Sequence, residues 1–328
     1  MGHTIYHSHR ISIAPMLDWT DRHYRYLARL LTKHARLYTE MLHMGAIVYG
    51  NKEQFLEFKE EEHPIAVQLG GSDPQQLAEA TRIAYNFGFD EVNLNCGCPS
   101  PKVQKGSFGA TLMQDVTLVC DCLKSMQDSA DIEVTLKHRV GINKEESYEF
   151  LRDFVGYIVL NTQCKTFIVH ARNAWLNGLS PKENREIPPL KYDYVYQLKK
   201  DFPWVNIIIN GGINTLGLIQ EQLENVDGVM IGREAYQHPM FLQKWDEYFF
   251  GSESGIAIGD LIQALYEYTK RELESYPELK LKNIVRHYLG LFHGQPRAKI
   301  WRQMLSDTEL LSKNCPELIL EAYQLMQR

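Results

Sequence analysis

The octapeptide Asn93-Leu94-Asn95-Cys96-Gly97-Cys98-Pro99-Ser100 closes an apolar run that begins at Phe89. A strand that reaches Asn-Cys-Gly-Cys-Pro cannot extend its ladder, because glycine loosens the backbone and proline lacks a donor. The Cys98 thiol is therefore delivered into the loop beyond. Loops after buried parallel strands are where α/β enzymes place their chemistry, and a thiol there can move a proton or act as a nucleophile. A free cysteine serves equally well as a small apolar filler. The elements around it decide between the two.

Eight short β-rich runs recur along the chain, at 11–14, 37–39, 65–69, 92–94, 134–136, 167–169, 207–209 and 229–231. Between most of them lie stretches with helical spacing, such as 21–31, 74–87, 116–126 and 146–158. Eight strand–helix alternations match a (β/α)8 TIM barrel of roughly 250 residues, whereas a doubly wound sheet needs five or six strands. No Gly-x-Gly-x-x-Gly follows the first strand, so a Rossmann fold loses its main support. A polar, glycine-containing break at 249–255 ends the strand pattern, and 259–275, 280–293 and 296–328 read as helices. The expected organisation is α/β: a catalytic TIM barrel over residues 1–250 and a small all-α domain over 251–328.

In such a barrel the polar residues at the C-terminal strand ends line the site. Here they are Pro15-Met16-Leu17-Asp18, Glu40, Gln68, Asn95 with Cys98, Lys137 with Arg139, His170 with Arg172, Asn210-Gly211-Gly212 and Gly232-Arg233. Glycines after the seventh and eighth strands let backbone N–H groups approach an anion, and Arg233 can add a charge-assisted contact, which together make a phosphate site. Gln68 and Lys137 can meet the polar edge of a flat ring. A phosphate at one side and a heteroaromatic ring over the strands are what FMN requires, although the glycines alone fit other phosphorylated ligands.

The 328 residues carry a net charge of −6, with 44% hydrophobic and 23% charged residues. That balance argues against binding nucleic acid through the overall field. A local exception lies at 280–303, where Lys280, Lys282, Arg286, Arg297, Lys299 and Arg302 stand with two histidines and no acid. Tyr288, Phe292 and Trp301 are interleaved with them, a mix suited to phosphates and stacked bases, though a solvated helix face has the same composition. The six cysteines have neither the density nor the context of a disulfide framework, and two Cys-x-Cys pairs lack structural-zinc spacing, so no metal is expected. Cys120 and Cys122 read as helix packing, Cys164 as the start of a strand and Cys315 as lying near a helix start. No apolar run approaches bilayer length and no signal core opens the chain, so a cytoplasmic location and no membrane partner are expected.

At this point the chain resembles the tRNA-dihydrouridine synthases. The matching motifs are Ala14-Pro15-Met16, the octapeptide 93–100, Lys137, His170-Ala171-Arg172, Asn210-Gly211-Gly212 and Gly232-Arg233, within a similarity that spans about 11–305. The stretch 179–190 is similar to the bacterial subfamily that reduces uridines 20 and 20a of the D-loop. The resemblance implies an FMN barrel and a helical tRNA-binding domain that reduce the C5=C6 bond of uracil with NADPH. It implies Cys98 as the acid that protonates C5, Asn95 as a contact to the uracil, and Pro15, Met16, Leu17, Gln68, Lys137, His170, Asn210, Gly211, Gly212, Gly232 and Arg233 as cofactor contacts. Lys182, Arg185, Lys299 and Arg302 are the expected tRNA contacts. Lys299 and Gln303 depart from the arginines usual in relatives. No NADPH pocket and no protein partner are legible, and a monomer is expected. The competing functions are an FMN dehydrogenase for a free dihydropyrimidine such as dihydroorotate, and a non-enzymatic RNA-binding protein on an inactive barrel.

Overall fold

The computed structural model describes residues 9–252 and 255–328. Eight parallel strands form one sheet: β1 Ile11–Ile13, β2 Leu37–His43, β3 Ile65–Gly70, β4 Glu91–Cys96, β5 Glu133–Arg139, β6 Thr166–His170, β7 Asn206–Asn210 and β8 Gly228–Ile231. Their order is β1-β8-β7-β6-β5-β4-β3-β2. The two end strands are then joined by Ile13 N–H to Arg36 C=O at 2.9 Å and Arg36 N–H to Ile11 C=O at 3.1 Å, so the sheet closes into the expected barrel. All eight expected runs lie within or at the ends of these strands. Cys164 precedes β6 rather than beginning it, because the ladder starts at Thr166 opposite Asn206.

Local sequence fixes the crossovers. The helix Pro74–Phe87 starts where the Asp73 carboxylate accepts from the N–H groups of Gln75 and Gln76, both at 2.9 Å, and ends at Gly88 with φ of +92°. Asp115 and Ser147 cap Val116–Ser129 and Tyr148–Asn161 in the same way. Cys120 and Cys122 are buried on the former helix, as expected.

Inside the barrel the strands divide by chemistry. Ala14, Tyr38, Ala66, Ile168, Ile208 and Met230 form one apolar cluster, with Met16 packed against it. β4 and β5 instead contribute Glu91, Asn93, Asn95 and Thr135, all buried. Near the start of these two strands the Glu91 carboxylate accepts from Arg36 Nη1 at 2.7 Å and Tyr38 O–H at 2.8 Å, while His9 Nε2 lies 3.0 Å from Glu133. A buried carboxylate is tolerable there because Arg36 supplies its counter-charge.

The chain divides into two compact units, Met1–Asp18 with Ala35–Gly232 and Trp19–His34 with Arg233–Arg328. The boundary expected at residue 250 therefore falls inside the second unit, which starts at Arg233 and also takes the helix Arg22–Leu31. The reason is visible in its contacts. Tyr24 O–H donates to Ala235 C=O at 2.8 Å, and Asp246 accepts from Thr32 Oγ1 at 2.6 Å and Lys33 N–H at 2.7 Å. The Asp21 cap of this helix also accepts from Arg286 at 2.7 Å and His287 at 2.9 Å. Burial raises the Asp21 carboxyl, but His287, His23 and Arg286 outweigh it and hold the group well below the usual carboxylate range.

The C-terminal helices are shorter than their apolar spacing suggests. Ile258–Ser275 matches 259–275, but 280–293 is helical only at Leu281–Val285 before continuing as turns. The expected 296–328 helix is three: Ala298–Met304, Thr308–Ser312 and Leu318–Gln327. Asp307 restarts the chain as an N-cap, and Asn314, with φ of +53°, and Pro316 interrupt it again. Among the described residues no helix is long and apolar enough to cross a membrane.

Candidate active site

Asn95, the penultimate residue of β4, holds the loop that carries Cys98. Its Oδ1 accepts from the backbone N–H of Gly97 at 3.1 Å and of Cys98 at 3.0 Å, the side-chain turn that asparagine favours. The Cys98 carbonyl accepts from Ala110 N–H at 2.9 Å. Gly109 passes so close, with φ of +68°, that a Cβ there would stand 2.6 Å from the Cys98 oxygen. Cys98 is left half-buried. Cys96, Cys120, Cys122 and Cys164 are buried, and burial pushes the Cys122 and Cys164 thiols up to about 12, so these are inert packing groups.

β5 places two cations beside this thiol. Lys137 Nζ donates to Asn210 Oδ1 at 3.2 Å, and Asn210 Nδ2 donates to Met230 C=O at 2.7 Å. Burial, helped by the nearby Arg139, lowers the Lys137 ammonium to about 7, while Cys98 acts in the opposite sense. Arg139 is itself buried and has no carboxylate partner among the described residues. Its Nε donates to Gly97 C=O at 3.2 Å, and its Nη1 to Asn184 C=O at 2.9 Å and Asn173 C=O at 3.3 Å. Burial lowers this guanidinium to about 9. The arginine thus pins the loop after β4 to the segment after β6.

His170 ends β6 with its Nδ1 buried and without a hydrogen-bond partner among the described residues. Burial, then Arg139, Lys137, Arg172 and Arg185, holds its imidazole well below its ordinary value, so it stays neutral. β7 runs into Gly211 and Gly212, with φ of +119° and +72°. A Cβ on Gly212 would lie 2.7 Å from Leu190, and Tyr192 O–H fixes the turn by donating to Gly211 C=O at 2.5 Å. After β8, an added Cβ on Gly232 would meet nothing nearer than Ala14 and Met16, both at 3.7 Å. A half-buried thiol, an ammonium and a left-handed glycine pair therefore share one end of one barrel.

The family model described as "Dihydrouridine synthase (Dus)" matches residues 12–327. The chain belongs to the dihydrouridine synthase family. Relatives named tRNA-dihydrouridine(20/20a) synthase include those of Escherichia coli, 53% identical over 92% of this chain and 87% of theirs, and of Vibrio vulnificus, 52% identical over 92% of both. The Yersinia pestis protein of the same name is 52% identical over 91% of this chain and 86% of its own. Among solved structures, a 2-naphthoyl-CoA reductase aligns with a TM-score of 0.54 over 73% of this chain and 50% of its own. At 12% identity it shares the barrel fold alone.

Within this dihydrouridine synthase the expected residues fall into different settings. Pro15 and Met16 are half-buried, whereas Leu17 is 67% exposed. Gln68 and Asn95 are buried and already bonded to each other, with Asn95 Nδ2 donating to Gln68 Oε1 at 2.8 Å. Lys182 and Arg185 are exposed on either side of the buried Asn184, whose amide bonds the backbone at Trp175, Leu179 and Ser180. In the helical unit Arg233 opens the short helix Arg233–Gln237, and Lys299 and Arg302 are exposed on Ala298–Met304.

One expectation for that unit is overturned. Tyr288, Phe292 and Trp301 are no stacking platform: all three are at most 1% exposed. Trp301 Nε1 donates to Tyr288 C=O at 2.8 Å, and its ring meets Phe292 edge-on. Arg286 is taken up by Asp21, which leaves Lys280, Lys282, Arg297, Lys299 and Arg302 as the exposed basic set. The sequence reasoning gave no role to Asn184, Tyr192 or the interior polar residues Glu91, Asn93 and Thr135. Glu91 and Asn93 were visible, with Asn95, as polar residues at every second position of the run 91–96, the period of a strand face.

Proposed function

We propose that the protein is a flavin-dependent tRNA-dihydrouridine synthase that reduces the C5=C6 bond of uridine 20 or 20a in the D-loop, with FMN bound at the barrel mouth and NADPH as reductant, in the cytoplasm and as a monomer. The observation that carries this reading is the half-buried Cys98, tethered by Asn95 beside Lys137 and Arg139 at the C-terminal strand ends. Relatives named as tRNA enzymes over nearly the whole chain weigh against a dehydrogenase for a free dihydropyrimidine.

The residues present fit FMN. Gly211 and Gly212, both at positive φ, form a turn of the kind that presents backbone N–H groups to an anion, His170 Nδ1 is buried with no hydrogen-bond partner among the described residues, and Lys137 can meet developing negative charge on a ring edge. Pro15, Met16, Leu17, Gln68, Asn210, Gly232 and Arg233 complete the proposed cofactor contacts. When bound, FMN supplies the hydride that adds to C6 of the uracil.

The chain's own residues do the rest. Adding hydride to C6 moves the C5=C6 electron pair toward C5 and the C4 oxygen, giving an enolate, and the Cys98 thiol gives its proton to C5. Lys137 and Arg139 favour that transient negative charge through their field. Asn95 has spent its Oδ1 on the loop and one N–H on Gln68, so its second N–H is what it can offer the uracil. The base must leave its stack to arrive there, while exposed Lys182, Arg185, Lys299 and Arg302 neutralise tRNA phosphates.

The Cys98→Ala variant tests the assignment. It should retain bound flavin and flavin reduction by NADPH but lose about 10²- to 10⁴-fold in dihydrouridine formation, the usual contribution of a positioned acid. Wild-type turnover in that variant would remove Cys98 from the mechanism.

A further inference from the structure

Alternate residues of β4, namely Glu91, Asn93 and Asn95, share one strand face and are linked by side chains of the neighbouring strands. Asn95 Nδ2 donates to Gln68 Oε1 at 2.8 Å, Gln68 Nε2 donates to Asn93 Oδ1 at 2.7 Å, and Asn93 Nδ2 donates to Thr135 Oγ1 at 2.7 Å. The Thr135 hydroxyl in turn donates to the Glu91 carboxylate, which also accepts from Arg36 and Tyr38. All five chain members are 7% exposed or less.

The polarity of this chain is forced. A carboxylate only accepts, and a hydroxyl has one proton, so Thr135 gives that proton to Glu91 and can only accept from Asn93. Asn93 must then turn its oxygen to Gln68, Gln68 its oxygen to Asn95, and Asn95 its oxygen to the loop. There it meets the two backbone N–H groups of Gly97 and Cys98, which can only donate. If the Asn95 amide were reversed, its NH2 would face two donors and release the loop. Reversing the whole row would place the Asn93 oxygen against a hydroxyl whose proton is already committed. At positions this deeply buried, such mismatched donors and acceptors are costly.

We propose that Thr135 and Glu91 are positioning residues for the reaction, fixing through Asn93, Gln68 and Asn95 which end of the Asn95 amide faces the loop that presents Cys98. Neither touches the reacting atoms. This rests on the reading of Cys98 as the proton donor.

The test uses the flavin-loaded full-length protein with Thr135→Val and Thr135→Ser. Val keeps the shape and removes the hydroxyl, while Arg36, Tyr38 and Glu91 remain paired. We expect T135V to hold FMN and bind tRNA as the wild type does. Its single-turnover reduction of unmodified tRNA should slow on the order of tenfold, as expected when a reacting group is misplaced by a fraction of an ångström. Iodoacetamide should alkylate Cys98 faster in T135V, as mapped by mass spectrometry, and T135S should restore both rates. A T135V protein that matches the wild type in both readouts, or a T135S protein as impaired as T135V, overturns the proposal. So does complete loss of FMN in T135V, because Gln68 is the only proposed cofactor contact that belongs to the row and the others stay in place. Failure of the Cys98 reading is separately visible as full activity in C98A, and the alkylation rates still report whether Thr135 holds the loop.

Discussion

The barrel mouth and the basic stretch of the helical unit offered the same kind of sequence signal, chemically apt residues at suggestive spacing, and the structure treats them differently. At the mouth, each residue stands at the end of a strand, and strand geometry leaves few choices for where it goes. Cys98, Lys137, His170 and the Gly211–Gly212 pair therefore converge at one end of the barrel. In the stretch 280–303, position on short helices and turns decides, and packing takes the aromatics. Tyr288, Phe292 and Trp301 became the core of the unit while the long basic side chains stayed outside. A residue type suited to stacking on bases is suited even better to burial.

The largest expected effect sharpens that contrast. Trp301→Ala removes a fully buried indole and its hydrogen bond to Tyr288, and should cost roughly 3–5 kcal/mol of stability. Thermal unfolding would show it. A Trp301→Phe variant that folds should bind tRNA normally, and a binding defect without a stability loss would restore the stacking role. Next in size, replacing Arg297, Lys299 and Arg302 together by alanine should leave the melting temperature nearly unchanged. It should weaken tRNA binding at least tenfold and flatten the dependence of log affinity on log salt by roughly 2–3 units if each meets one phosphate. An unchanged salt slope would make this face merely solvated.

The smallest effect returns to the mouth. With the Lys137 ammonium lowered to about 7 by burial and the nearby Arg139, the group loses its proton as pH rises through that value. A ligand that favours the charged lysine must then bind with proton uptake. FMN affinity of the flavin-free protein should fall by up to about tenfold per pH unit above 7, as read by fluorescence quenching, and Lys137→Met should be weaker and flat over the same range. A wild-type affinity that does not change between pH 7 and 9 would separate Lys137 from the cofactor.

Most of the fold was legible because its determinants are local. Eight β-rich runs and their caps, such as Asp73 before Pro74 and Gly88 after Phe87, define the barrel without reference to distant residues. What sequence could not supply were facts about contact. The segment 19–34 lies between two barrel strands in the chain, yet Tyr24, Thr32 and His23 in it bond to Ala235, Asp246 and Tyr268, more than two hundred residues away. Arg139 was visible as a strand-end residue, but its bonds to Gly97, Asn173 and Asn184 depend on three separate segments meeting. The β4 members of the interior row, Glu91, Asn93 and Asn95, stood in the alternation of that strand but were read as part of an apolar run, while Gln68 and Thr135 join them only through contacts between strands.

Single-turnover reoxidation of the photoreduced, flavin-loaded protein by unmodified tRNA, with orotate as the parallel oxidant and dihydrouridine mapped by position, tests the central claim most directly. Reoxidation by tRNA with product at position 20 or 20a, and no reaction with orotate, is the expected outcome. A flavin that stays reduced with tRNA but is reoxidised by orotate would contradict it.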